Sequence, residues 1–279
     1  MSMLKNKLVY LHTGCEWSEP WDESFRVGLN RLGCEYIECD LATVVVDRPG
    51  VFIGRFNESC LEYKNIYEAK SNQFEWCWPE PSAFNLYDDK FLQAQYLSVN
   101  KRPQPFYEIA KDNSFYWDVY PAVQKKAAGS SSKNVKLVKS REEVETPCLL
   151  QEFCPDNDRD YRITVIGDQV TMIQRKNRKN DFRASGSGKI VRLAPEPEIS
   201  QLCWEICREA GWATMCFDIV KKEGEWVILE MSYTYALYAI TEDTKYCHLM
   251  PGCKLADRTE HPVDTLLKYL FKRGKQCQL

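Results

Sequence analysis

Residues 214–233 read TMCFDIVKKEGEWVILEMSY, two apolar runs on either side of a short charged turn. Apolar runs that flank a glycine-bearing turn make a β-hairpin. A three-residue loop centred on Gly224 sets Asp218 directly opposite Glu230 on one face of the sheet, and Ser232, two residues on, shares that face. Carboxylates about 5 Å apart in a run this apolar repel each other and lose hydration, so they need a cation. A surface position, or an ion pair to a lysine, meets that need in the ordinary way. A hard metal such as magnesium, which favours carboxylate oxygens together with the phosphates of a substrate, is the functional answer and the expectation here.

The rest of the chain alternates between the two periodicities. KLVYLHTG reads as a buried strand, WDESFRVGLNRLG as a helix ended by glycine, and EYIECDLA as a strand again. This is a parallel β-α-β unit. VFIGRF (51–56) is a further strand candidate, and YDDKFLQAQYLSVN is a helix with Asp88 or Asp89 near its start and Asn100 near its end. RPQPFYEI marks entry into a new part of the chain. After it come YPAVQKKAA and VKLVKS as strands around GSSSKN, a short helical REEVET, and CLLQEFC as a strand. YRITVIGDQVTMIQRK is a hairpin turning at Gly167-Asp168, PEISQLCWEICREAGW a helix ending at Gly211, and HPVDTLLKYLFKRG a closing helix.

The net charge of −3 argues against a general nucleic-acid or membrane-surface binder, although QRKNRKNDFR (174–183) is a local basic patch. No run of about 18 apolar residues offers a membrane span. With no signal-peptide pattern at the start, the thirteen cysteines read as reduced thiols of a cytosolic protein. No C-x-x-C occurs, and the three histidines and the closest cysteine pairs offer no set of about four ligands at workable spacing, which leaves no zinc pattern.

GSGK (186–189) imitates the end of a phosphate-binding loop, but Arg183 holds the place of the first glycine and Ile190 follows Lys189 where Ser or Thr is needed. The stretch 183–190 is therefore not a P-loop. GSSSKN (129–134) is a different matter: glycine and serines between two strands supply free N–H groups and hydroxyls for phosphate oxygens, with Lys125 or Lys126 adding charge.

In order, the chain carries Lys90 in DDKFLQ, then PAVQK-(x)3-GSSSKNV, LLQEF-(x)6-DYR, NDFRASGSG and FDIV-(x)9-EMS. This succession, from about residue 85 to 240, resembles the ATP-grasp superfamily, and within it the ribosomal-protein glutamate ligases. Its wording is similar to ATP-grasp proteins of bacterial surface-polysaccharide assembly. The resemblance implies an α/β fold in three parts: an N-terminal substrate-side domain over 1–88, a central lid over 89–148 and a C-terminal domain over 149–279, with ATP between the last two. It implies Lys90 and Lys125 on the nucleotide phosphates. Gly129, Ser130, Ser131 and Ser132 belong to the closing loop, Glu152 and Phe153 to the adenine hinge, and Asp160 lies near the ribose. Arg183 contacts the transferred phosphate from an edge strand and loop, Ser185 follows it at the site, and Asp218, Glu230 and Ser232 hold Mg2+. The glutamate ligases have Asn where this chain has Ser185 and Ser232, which weakens the third metal ligand.

The implied reaction is carboxylate activation by ATP followed by attack of an amine, the partners being a small-molecule or sugar carboxylate and an amine, with no nucleic acid and no membrane insertion. A phosphotransferase, or a nucleotide-binding protein without ligase activity, are the alternatives. No nucleophilic side chain is needed, so Cys154 and Cys216 read as buried small hydrophobes. Arg55 in GRFNES and the loop TGCEWSEP are candidates for the acceptor side.

Overall fold

A computed structural model of the chain describes residues 7–16, 18–57, 62–129, 134–241, 246–258 and 260–273. The first sheet is all parallel. Strand β1 (Leu8–His12) is buried along its whole length; helix α1 (Glu19–Leu32) returns the chain to β2 (Glu35–Cys39), which pairs in register Leu8↔Glu35. The helix ends because Gly33 takes φ 66°, a left-handed conformation in which its N–H reaches Asn30 O. Strand β3 (Gly50–Gly54) pairs on the other side of β1. After helix α2 (Tyr63–Lys70) the edge strand β4 (Trp76–Trp78) completes the order β2-β1-β3-β4. Sequence patterning missed α2, β4 and the following α3 (Pro81–Leu86), which are short and lack a clear period. Because the chain leaves β1 to opposite sides for β2 and β3, a crevice opens at the carboxyl ends of β1 and β3. Arg55 immediately follows β3 there. Helix α4 (Lys90–Val99) begins at Asp89, whose Oδ1 accepts from the N–H groups of Phe91 and Leu92.

A second sheet is antiparallel: β5 (Tyr107–Ala110), β6 (Ala122–Lys125), β7 (Val135–Val138) and β8 (Cys148–Glu152), in the order β5-β8-β6-β7. It has a small core of its own around Phe115, Trp117 and Leu150.

The third sheet takes β9 (Arg159–Ile166), β10 (Gln169–Lys176), β11 (Ile190–Leu193), β12 (Thr214–Lys222), β13 (Glu225–Ser232), β14 (Tyr246–Leu249) and β15 (Lys254–Asp257). Its order is β13-β12-β9-β10-β14-β15, with β11 also on β10. Helix α5 (Pro197–Ala210), stopped by Gly211 at φ 72°, packs against β9, β10 and β12. A short α6 (Tyr238–Thr241) and the closing α7 (Pro262–Arg273) follow. β11, α6, β14 and β15 were not foreseen.

The first and third sheets share one core. Trp21 stacks on Trp78 at 5.6 Å and meets the edge of Tyr235 at 5.1 Å, while Tyr233 accepts from Phe56 N and donates to Phe56 O. For the division into three parts, sheet membership is the better guide. β8 joins the middle sheet and α4 packs on β13, so we propose breaks near 105 and after 152 in place of 88 and 148.

Candidate functional site

The hairpin of β12 and β13 turns more tightly than expected. Lys222 pairs with Glu225, so the turn has two residues, Glu223 (φ 52°) and Gly224 (φ 90°), both left-handed. On that register Asp218 faces Leu229. A β-bulge between Asp218 and Ile219 adds one residue to β13, and Asp218 comes to face Glu230 after all. The expected pairing holds, for a different physical reason. Ser232 lies opposite Cys216, on the same face.

Strand β9 extends this face. Asp218 is also in register with Arg162, and Asp160, two positions back along β9, is in register with Arg175 of β10. One face of the sheet therefore carries Glu230, Asp218, Arg162, Asp160 and Arg175 as alternating charges. Arg162 grips Asp218 with two hydrogen bonds of 2.7 and 2.9 Å; Arg175 reaches Asp218 at 2.9 Å and forks onto Asp160 at 2.8 and 2.6 Å. Burial opposes the charge of Asp218, yet these two guanidiniums hold its carboxyl well below the usual carboxylate range. For Asp218, a compensating positive charge is thus supplied within the protein by arginines. Neither arginine was singled out from the sequence. The signal available was the Asp160/Arg162 alternation at the strand period, but the partner strands are set by topology.

The middle sheet forms the opposite wall. Lys125, at the end of β6, points inward with Nζ donating to Leu229 O at 3.1 Å, whereas Lys126 is exposed. Burial pushes the Lys125 ammonium down to about 8, against the pull of Glu230. Lys90, buried at the start of α4, stands 3.6 Å from Glu230 and donates to Gly129 O at 2.7 Å. Asp88, unforeseen as a site residue, accepts the Gly129 N–H on both oxygens at 3.0 Å and so ties the start of the small-residue loop to α4. Ser130, Ser131 and Ser132 lie outside the described residues.

Between the two sheets is a cleft lined by Lys125, Glu152, Phe153, Asp160, Arg183, Ser185, Asp218 and Glu230, together with the apolar Val123, Phe182 and Val220. It contains about 780 Å³ of space free of atoms, counting its open side. Glu152 is held by Lys222 at 2.7 Å, and Phe153 meets Phe182 edge-to-face at 5.8 Å. Arg183 sits in the loop between β10 and β11, not on an edge strand; its guanidinium is forked onto Asp181 and donates to Val135 O of β7 at 3.2 Å. Cys216 is buried as expected. Cys154 is only half-buried and lines the cleft, with burial raising its thiol above the ordinary range.

A second, larger cleft opens beyond Glu230 toward the crevice of the first sheet. It shares Arg175, Ala184, Ser185 and Glu230 with the first and adds Trp21, Arg55, Arg162, Ser232 and Tyr235. Arg55 Nε donates to Thr234 Oγ1 at 2.8 Å, which joins the acceptor-side candidate to the strand end after Ser232. The Ser232 hydroxyl is engaged locally, donating to Thr234 O at 2.6 Å.

A family model described as a RimK-like ATP-grasp domain matches residues 88–246. Among solved structures, the chain is similar to the ATP-grasp ligase PsnB complexed with a minimal precursor, at 16% identity and a TM-score of 0.64, covering 86% of this chain and 94% of that one. It is also similar to a RimK domain ATP-grasp protein from Sphaerobacter thermophilus (13%, TM-score 0.64, 95% and 99%) and to D-alanine–D-alanine ligase from Bacillus anthracis complexed with ATP (10%, TM-score 0.65, 97% and 98%). No curated protein matches the chain. No helix among the described residues is long and apolar enough to cross a membrane.

Proposed function

The chain belongs to the RimK-like ATP-grasp family, and from that premise we propose that it is an ATP-dependent ligase joining a carboxylate to an amine through an acyl phosphate. ATP and Mg2+ are the cofactors of the family. The observation that carries the reading is the meeting of Lys125 and Lys90 with Glu230 and Asp218 beside a cleft that also offers the apolar faces of Val123, Phe153, Phe182 and Val220. The relatives support an ATP-grasp ligase; the acid and the amine are our extension.

The residues fit a hard divalent ion held jointly with phosphates. Asp218 and Glu230 face each other with oxygen donors only, and among the described residues no third acidic, histidine or cysteine side chain completes a cage, so substrate oxygens have to supply the remainder. Asp218 and Glu230 would hold the ion, with Ser232 a weaker third donor. A metal ion held there would neutralise phosphate charge. Lys125 and Lys90 fix the phosphates by charge. Arg183 supplies a fork for the transferring group, and this requires it to loosen its grip on Asp181. Phe153 and Phe182 offer apolar faces for the base, with backbone groups at Glu152 beside it. The second cleft, next to Glu230, receives the acid, and closure of the middle sheet keeps water from the acyl phosphate. Carboxylated sugars are the acids proposed first.

Hydroxylamine trapping tests this reading. With Mg2+, ATP and a panel of uronic and amino acids, a ligase forms a hydroxamate in step with ADP and phosphate. Stable phosphorylation of a hydroxyl, with no hydroxamate from any acid, would replace it with a kinase.

A further inference from the structure

Two arginines bind Asp218, but they are not equivalent. Arg175 also forks onto Asp160, so it keeps an anionic partner if Asp218 is withdrawn. The ion pair of Arg162 is with Asp218. The two partners also face different spaces: Asp218 lines the nucleotide cleft, and Arg162 lines the second cleft. Arg162 occupies both carboxylate oxygens, at 2.7 and 2.9 Å, which are the atoms a divalent ion needs. A guanidinium and a divalent cation repel each other over one carboxylate, and the repulsion is strong where water is scarce.

We propose that Arg162 is an exchangeable counter-ion that neutralises Asp218 in the empty site, releases it when metal and nucleotide arrive, and then presents its guanidinium to an acidic group of the acceptor in the second cleft. The proposal rests on the nucleotide reading above. It gives the site an order of loading. Before nucleotide binds, Asp218 cancels Arg162 and the acceptor wall is close to neutral at that point. Afterwards the wall carries an uncompensated cation beside Glu230, and an anionic acid is drawn in once its phosphate donor is present. By linkage, the acid and the metal–nucleotide then strengthen each other's binding by the same factor.

The side-chain Nε–H of Arg162 reports the exchange directly, and Arg162→Lys identifies its signal in an arginine 1H–15N spectrum. In metal-free protein, with or without a non-hydrolysable ATP analogue, the proton should exchange slowly. Adding Mg2+ with the analogue should speed its exchange by about tenfold or more. Removing the competitor in Arg162→Gln should tighten Mn2+ binding in the presence of the analogue by about tenfold, within the ordinary range of coupling between sites. Binding of the analogue, read independently as a rise in melting temperature, separates the two possible failures. A melting shift with unchanged Arg162 exchange, or weaker Mn2+ binding in Arg162→Gln, overturns this proposal alone. No melting shift removes the nucleotide reading and this proposal with it.

Discussion

Nζ of Lys125 donates a 3.1 Å hydrogen bond to the carbonyl of Leu229, the residue that the bulge adds to β13 just before Glu230. The bulge therefore does two things at once: it brings Glu230 opposite Asp218, and it turns a carbonyl out of the ladder to receive the lysine. Without nucleotide, the main partner of this buried ammonium is a neutral oxygen, and its pKa falls to about 8, mainly through burial.

A pH dependence follows. Bound phosphate favours the charged lysine, so affinity for ATP should be highest below pH 8 and fall as pH rises past it; calorimetry across pH 7 to 9.5 measures this. For folding, the lowered value means that between about pH 8 and 10.5 the unfolded chain holds a proton that the folded protein lacks. Stability contributed by this group therefore rises with pH across that window. Relative to wild type, Lys125→Met should be the more stable form at pH 7, by an amount on the order of 3 kcal/mol from the size of the shift, with the difference shrinking toward pH 10. The same variant should lose most of the melting shift given by Mg2+ and ATP. An undiminished shift would remove Lys125 from the site.

Asp218 and Glu230 should separate in stability though not in activity. Asp218→Asn leaves two arginines facing an uncharged amide. The side chain is 16% exposed, so the loss should be about 2–3 kcal/mol, below the range for a fully enclosed pair. Glu230, 33% exposed and 3.6 Å from Lys90, should change stability by no more than about 0.5 kcal/mol on conversion to Gln. Urea unfolding in EDTA reads both. Both variants should lose nearly all phosphate release, because each removes charge that balances the metal.

Asp88 is a positioning residue for the loop that begins at Gly129. Its two oxygens hold the Gly129 N–H at 3.0 Å, and Lys90 donates to the Gly129 carbonyl. In Asp88→Ala the Gly129 amide should exchange at least about tenfold faster, and KM for ATP should rise more than kcat falls, since ordering the loop is then charged to binding. Unaltered exchange at Gly129 with raised KM would assign Asp88 a direct electrostatic role instead.

The strands and helices with strong periods were legible in the residues alone; Lys90 and Lys125 came from the family resemblance, and the fold sets Lys90 3.6 Å from Glu230 and Lys125 in the cleft beside it. The Asp218–Glu230 pairing was legible too, although a two-residue turn and a bulge stand where a three-residue loop was expected. Two features were hidden for a physical reason. Arg162 and Arg175 meet Asp218 only because β9, which carries β10 on its other side, pairs with β12 across two intervening strands and a helix, and no local period encodes that neighbour. The second cleft draws on Trp21 of α1, Arg55 just after β3 and Tyr235 just after β13, so it exists only once the first and third sheets share a core.

Ser232 offers the sharpest test of how far this site departs from the glutamate ligases that the sequence resembles, in which Asn stands at this position as it does at Ser185. Its hydroxyl donates to Thr234 O at 2.6 Å and accepts from Thr234 N at 3.3 Å, a local turn that Asn can also make through its side-chain oxygen. Ser232→Asn should therefore be tolerated by the fold, with the melting temperature of the metal-free protein changed by no more than about 2 °C. An amide carbonyl is a better donor to a hard ion than a hydroxyl already engaged in a turn. If Ser232 faces the metal, the Mg2+ concentration for half-maximal activity should drop severalfold in Ser232→Asn and rise modestly in Ser232→Ala. Titration of Mg2+ at saturating ATP measures both. Identical Mg2+ dependence in all three proteins would leave Asp218, Glu230 and the phosphates as the whole ligand set and return Ser232 to the wall of the second cleft.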